Sequence, residues 1–246
     1  MKYKTNFLSK VIFRIDFDKA ELGKLKGFAK DIENDFPIIE EQKGESGVIN
    51  FNFKTKELQQ ETSSLTTWNL YNKDRTIKIQ TQPHFLIIEF FKYSDSTELT
   101  PNMGFVSKFI KAFGIKTINR LGLRYINEIK IEDKKELLDW TPYINSALLG
   151  SIDFSQKNKK AIARSMGGIV FKEDFGNINF NYGLWNSAYP NVISEKMFVL
   201  DIDAYSKFPI DTDGLNLIEL VKEYNKAIES VFESSIEDGL REVLNK

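Results

Sequence analysis

Cysteine is absent from all 246 residues, and histidine occurs once, at His84. The first absence excludes disulfides, thiol nucleophiles and cysteine-ligated zinc or iron–sulfur centres together. The second excludes a histidine-rich metal site. No Gly-x-Ser-x-Gly elbow accompanies His84, which follows Pro83 and reads as a turn residue at a strand entry. Glycine clusters with the spacing of a dinucleotide or phosphate loop are also missing. The closest, Met166-Gly167-Gly168, reads as a bulge or close approach within a strand. No cofactor is therefore expected.

Long apolar runs are lacking too, since none approaches the roughly 20 residues that span a bilayer. The opening Met1-Lys2-Tyr3-Lys4-Thr5-Asn6 has no secretory apolar stretch, so a cytoplasmic protein without a membrane partner is the expectation. The net charge of −1 provides no global field toward nucleic acid or anionic lipid. What is abundant is apolar and aromatic: 41% hydrophobic residues with 20 Phe, enough for a Phe-centred core. Abundant Lys, Asn and Ile suit an AT-rich, bacterial genome.

Periodicity predicts the elements. Val11, Phe13, Ile15 and Phe17 alternate as in a half-buried strand. Asp18 and Glu21 then form a capping-box pattern opening a helix through about Asn34. Further strands are expected around Ile49–Phe53, Ile77–Gln80 and Phe85–Phe91, with another near Trp68–Tyr71. Thr100 as N-cap, Pro101 as first helical residue and Gly114 as C-terminal stop bracket a helix with the stripe Phe105, Val106, Phe109, Ile110 and Phe113. Strands follow over Asn119–Ile131, Ala161–Lys172, Asn177–Leu184 and Met197–Tyr205. A long amphipathic helix starts near Asn216, and Ser234 or Ser235 caps a short last one.

Two matches at similar offsets suggest a repeat. Asp18-Lys19-Ala20-Glu21-Leu22 resembles Asp133-Lys134-Lys135-Glu136-Leu137, and Leu86–Ser94 resembles Phe198–Ser206. The expected fold is α+β: an antiparallel sheet with helices on one face, from tandem duplication of a β-α-β-β-β-α unit. The halves are residues 1–116 and 117–246, the second ending in the long helix, and together they are expected to form one unit.

Two constellations carry candidate chemistry. From Met103 to Asn127 there is no acidic residue, while Lys108, Lys111, Lys116, Arg120 and Arg124 supply positive charge. With Tyr125 and Asn127 they form a candidate ligand or nucleic-acid site. The alternative is that the arginines pair with carboxylates on neighbouring strands, such as Glu89, Asp201 or Asp203. Those three carboxylates are in turn the candidate metal site, for phosphoryl-transfer chemistry. Asp211 and Asp213-Gly214 read as turn and capping material.

The segments Asn6-Phe7-Leu8 through Phe17, Arg120-Leu121-Gly122-Leu123-Arg124-Tyr125-Ile126-Asn127 and Phe232-Glu233-Ser234-Ser235-Ile236-Glu237-Asp238-Gly239-Leu240-Arg241-Glu242 resemble a sporadically distributed prokaryotic family of uncharacterised function. The resemblance spans nearly the whole chain and implies an accessory gene, of an operon or defence-type system. It brings no catalytic residues. The first expectation is thus a non-catalytic binding or assembly protein with a protein partner, or with further copies of itself. A nucleic-acid-binding component using the basic central strand stands second, and a metal-dependent phosphoryl-transfer enzyme third.

Overall fold

Val11, Phe13, Ile15 and Phe17 are all buried on one face of strand β1 (Leu8–Phe17), as their alternation predicts. The computed structural model describes residues 3–52, 56–132 and 136–246, and side chains at 46, 48–52 and 57–63 lie outside that description. After β1 come helix α1 (Leu25–Asp31), strands β2 (Ile38–Asn52), β3 (Glu57–Tyr71), β4 (Ile77–Gln82) and β5 (Phe85–Phe90), and helix α2 (Leu99–Ala112). The second half contains β6 (Thr117–Lys130), α3 (Gly150–Lys157), β7 (Ser165–Lys172), β8 (Gly176–Leu184), β9 (Met197–Ser206), β10 (Ile210–Asp211), α4 (Leu217–Ser235) and α5 (Asp238–Leu244).

The strands form one antiparallel sheet in the order β2-β3-β4-β5-β1-β6-β9-β8-β7, with β10 pairing the start of β6. This is the expected α+β class. The sheet is continuous across the 116/117 boundary, because β1 and β6 pair at its centre. One register row crosses eight strands: Leu70, Ile79, Ile88, Phe13, Leu123, Ala204, Ile178 and Phe171. All but Phe171 are buried, and the row forms the floor of a single core roofed by the helices.

The Phe-rich prediction holds in the first half. Phe28 of α1 lies 5.6–5.7 Å, ring centroid to ring centroid, from Phe105, Phe109 and Phe113. In the second half Trp140 packs on Phe198 at 5.3 Å, and Phe175 on Tyr224 of α4 at 4.3 Å. Truncating such a buried ring costs about 3–5 kcal/mol.

Several local expectations are corrected. Asp18 does not cap α1; its Oδ1 accepts from Asn119 Nδ2 at 3.0 Å, while Glu21 precedes a 3-10 turn without a side-chain bond. The cap ahead of α2 is Asp95, which accepts from Thr97 N at the start of a 3-10 turn, Ser96–Glu98. Thr100 and Pro101 therefore lie within the first helical turn, where a missing N–H costs nothing. Gly114 takes the predicted left-handed conformation, φ +62°. Asp133 lies outside the described residues, and Leu137 and Leu138 stand in turns ahead of α3, not in a helix. Helix α5 starts after Glu237, with no serine cap.

The closing segment fastens the end of the chain to its beginning. Leu244 O accepts from Lys4 N at 3.1 Å and Thr5 N at 3.0 Å, and Tyr3 Oη donates to Glu233 Oε1 at 2.7 Å. Arg241 Nη2 donates to Glu233 O, and Ile236 bridges to Ile144. Gly239 is required here, because a Cβ at that position would stand 2.4 Å from Pro142 O. No described helix is long and apolar enough to cross a membrane. Gly239→Ala should destabilise the protein by about 1–3 kcal/mol through this backbone clash. Gly104→Ala, in open space on α2, should stabilise it by about 0.5–1 kcal/mol. Urea unfolding of the two variants checks both signs.

Candidate binding face and the cavity behind it

Period-two alternation gives the central strands a second face, left open by the helices. One row on it reads Lys78, Glu89, Ile12, Arg124, Asp203 and Asn179; the next reads Gln80, Ile87, Arg14, Gly122, Tyr205 and Asn177. The charges here are paired. Arg124 grips Asp201 with both Nε and Nη2, at 2.7 and 2.6 Å, a fork geometry that matches a carboxylate. Arg120 Nη2 meets Asp203 at 3.0 Å, Arg14 Nε meets Asp16 at 2.7 Å, and Glu89 takes Lys10 at 3.2 Å and Lys78 at 3.3 Å.

Gly122 explains the spacing of the Arg-Leu-Gly-Leu-Arg motif. The Arg120 guanidinium folds across it, with Nη1 3.0 Å from where a Cβ would stand, and stacks over the Tyr205 ring at 5.0 Å. Beside it lies a depression of about 420 Å³ bordered by Ile12, Arg14, Ile87, Glu89 and Arg124. The hydrogen bond to Asp201 raises the Arg124 pKa further. Burial raises that of Asp203, outweighing the pull of Arg120 and Arg124 in the opposite direction.

The predicted cationic site does not converge. Arg120 and Arg124 lie on the open face, but Tyr125 and Asn127 are odd-numbered neighbours of Leu121 and Leu123 and point into the helical layer, both buried. Lys108 and Lys111 are exposed on α2, and Lys116 is exposed ahead of β6. The carboxylates Glu89, Asp201 and Asp203 each hold a cationic side chain, and among the described residues no group of three His, Asp or Glu could hold a metal ion.

Tyr125 instead joins a polar chain that sequence reasoning missed. Its Oη is 2.7 Å from Tyr93 Oη and 2.6 Å from Asn225 Oδ1, and Asn225 Nδ2 donates to Glu229 Oε1 at 2.8 Å. Burial pushes the Tyr93 and Tyr125 phenols well up, so both stay protonated. The chain borders a cavity of about 390 Å³ between α4, the opening segment and residues 93–97. Its one sequence signal was the Tyr93-Ser94 match to Tyr205-Ser206. The two tyrosines nevertheless differ in setting, Tyr93 being buried and Tyr205 on the open face.

No protein-family model matches the chain, and no curated protein matches it.

Asp203 should titrate above the ordinary Asp value of about 3.9. Within that window the folded state binds more protons than the unfolded one, so this group makes stability fall as pH rises through it. Arg120→Ala should move the midpoint higher still, because Arg120 holds it down. Carboxyl-detected NMR titration reads both shifts, and a midpoint unmoved by the substitution would contradict the pairing.

Proposed function

We propose that the chain is a non-catalytic binding or assembly protein that takes a protein partner, engaged by strand pairing along the β2–β3 ribbon. The observation that carries this reading is the ribbon itself. Its two strands pair over 15 residues each, from Ile38↔Tyr71 to Asn52↔Glu57, whereas β4 pairs only with Trp68–Tyr71. The remaining pairs extend about 35 Å beyond the last β4 contact. A two-stranded ribbon is marginal in water by itself, and its edges, which beyond Trp68 pair with no other described strand, offer backbone donors and acceptors to a third strand.

Its base is firmly held, which suits an arm that works at its far end. Lys26 sits over the Trp68 ring at 5.6 Å and meets Glu41 at 3.6 Å, and Trp68 and Leu70 are buried. Pairing of Arg120 and Arg124 with aspartates supports a protein partner over a nucleic-acid backbone, since binding phosphate would first break those pairs. The matching diagonals Lys10–Glu89 and Arg124–Asp201, each one step from a facing Ile12 or Ile126, support descent of the halves from a duplicated unit. The resemblance to a sporadic prokaryotic family suits an accessory component of an operon.

The test replaces residues 44–65 by Asn-Gly, which leaves Lys43 facing Thr66 across a two-residue turn. The shortened protein should keep its melting cooperativity. In nuclease-treated pull-downs from the native host it should lose a protein that the full chain retains in constant ratio. Equal capture by both forms, or captured material that nuclease removes, would count against the reading.

A further inference from the structure

The cavity behind β6 has a chemical polarity that follows from where its hydroxyl protons go. Tyr125 faces the carbonyl oxygen of Asn225, which can only accept, so the Tyr125 proton is committed there. The Tyr93 hydroxyl must then donate to Tyr125 across their 2.7 Å contact. Tyr3 donates to Glu233, Thr5 to Leu244 O at 3.1 Å, and Thr97 to Asp95. Five of the seven lining hydroxyls, all but those of Ser94 and Ser96, have thus spent their single proton inside the protein. What they can still offer to the cavity is lone pairs.

Charge and shape reinforce this. The described lining residues include Asp95, Glu229 and Glu233 but no Lys, Arg or His. Glu233 already shares Arg241 at 3.4 Å, whereas Glu229 receives the Asn225 amide and has no ion pair among the described residues. Tyr93, Tyr125, Phe7 and Phe232 border the same space with aromatic rings, and at about 390 Å³ it falls in the range of small-molecule sites. Tyr93, Tyr125 and Asn225 are buried and cross-linked by hydrogen bonds, so the acceptors are fixed in advance.

A lining dominated by acceptors, carboxylates and aromatic rings is matched by a ligand with donors and positive charge. We propose that this cavity binds a small organic amine, its ammonium group directed at Glu229 and its carbon body lying against the tyrosine and phenylalanine rings. An ammonium brings three donors and no acceptor, the complement of this lining. Its charge is also attracted by the ring faces. The site lies on the helical side of the sheet, away from the β2–β3 ribbon, and does not depend on the protein-partner reading.

Isothermal titration of the full chain with putrescine, cadaverine and agmatine tests it, with 1,4-butanediol as the neutral counterpart of putrescine. At least one amine should bind saturably with one site per chain, while the diol does not. Glu229→Gln, at an exposed position on α4 that leaves the fold intact, should weaken the amine by about tenfold or more. Glu219→Gln, in the first turn of the same helix and outside the lining, should leave affinity unchanged. Absence of binding by every amine at about 10 mM, equal binding of the diol, or full affinity in Glu229→Gln would each overturn the proposal.

Discussion

The antiparallel pairing of β1 with β6 is the constraint on which the rest of the molecule depends. These strands meet from Leu8↔Asn127 to Phe17↔Ile118, and every other strand is laid outward from them in both directions. Their register decides the chemistry of both faces at once. With Phe13 opposite Leu123, the apolar residues face the helices, and Arg14, Arg120 and Arg124 face out. A slip by one residue would invert this and drive guanidinium groups into the core. The ion pairs with Asp201 and Asp203 are thus a product of a register fixed by Phe, Ile and Leu on the opposite side.

The same strand carries two unlike surfaces within one motif. Arg120 and Arg124 belong to a charge-balanced outer face, whereas Tyr125 and Asn127 belong to the buried polar layer beneath α4. Reading Arg120 through Asn127 as one site joins residues whose side chains leave opposite faces of the backbone. Gly122 shows how the faces stay separate. Removal of one side chain gives Arg120 a place to lie flat, so its charge reaches Asp203 and the Tyr205 ring without crowding Arg14 or Arg124.

Strands with one buried face were legible in the sequence: burial writes a period of two into β1, β4, β8 and β9, and β5 stands out as a nearly continuous apolar run. Helices α2 and α4 were legible for the corresponding reason at helical period. The β2–β3 ribbon was legible only in fragments around Ile49–Phe53 and Trp68–Tyr71, and Phe53 lies outside the described residues. Helix α3 was missed: it is short, and of its residues only Ile152 and Ser155 are buried. Caps were misassigned at Asp18 and Thr100 because a pattern of capping residues does not reveal that a 3-10 turn precedes the α-helix. Pairing of the arginines with Asp201 and Asp203 could be anticipated from strand parity. The Tyr93–Tyr125–Asn225 chain could not, because it needs α4 to cross the sheet from a position 100 residues further along than Tyr125.

The bonds from Lys4 and Thr5 to Leu244 bear on how the molecule is assembled in time. The opening segment acquires its backbone partner only when the last helix has been made, and β1 waits across α1 to α2 for β6. Contacts so distant along the chain close at a large loop entropy, and folds dominated by them acquire structure slowly. A nascent chain that has emerged as far as β5 exposes the edge of β1 that β6 will cover, with Ile12, Ile15 and Phe17 beside it. During synthesis that edge stays without its partner strand until β6 has been made.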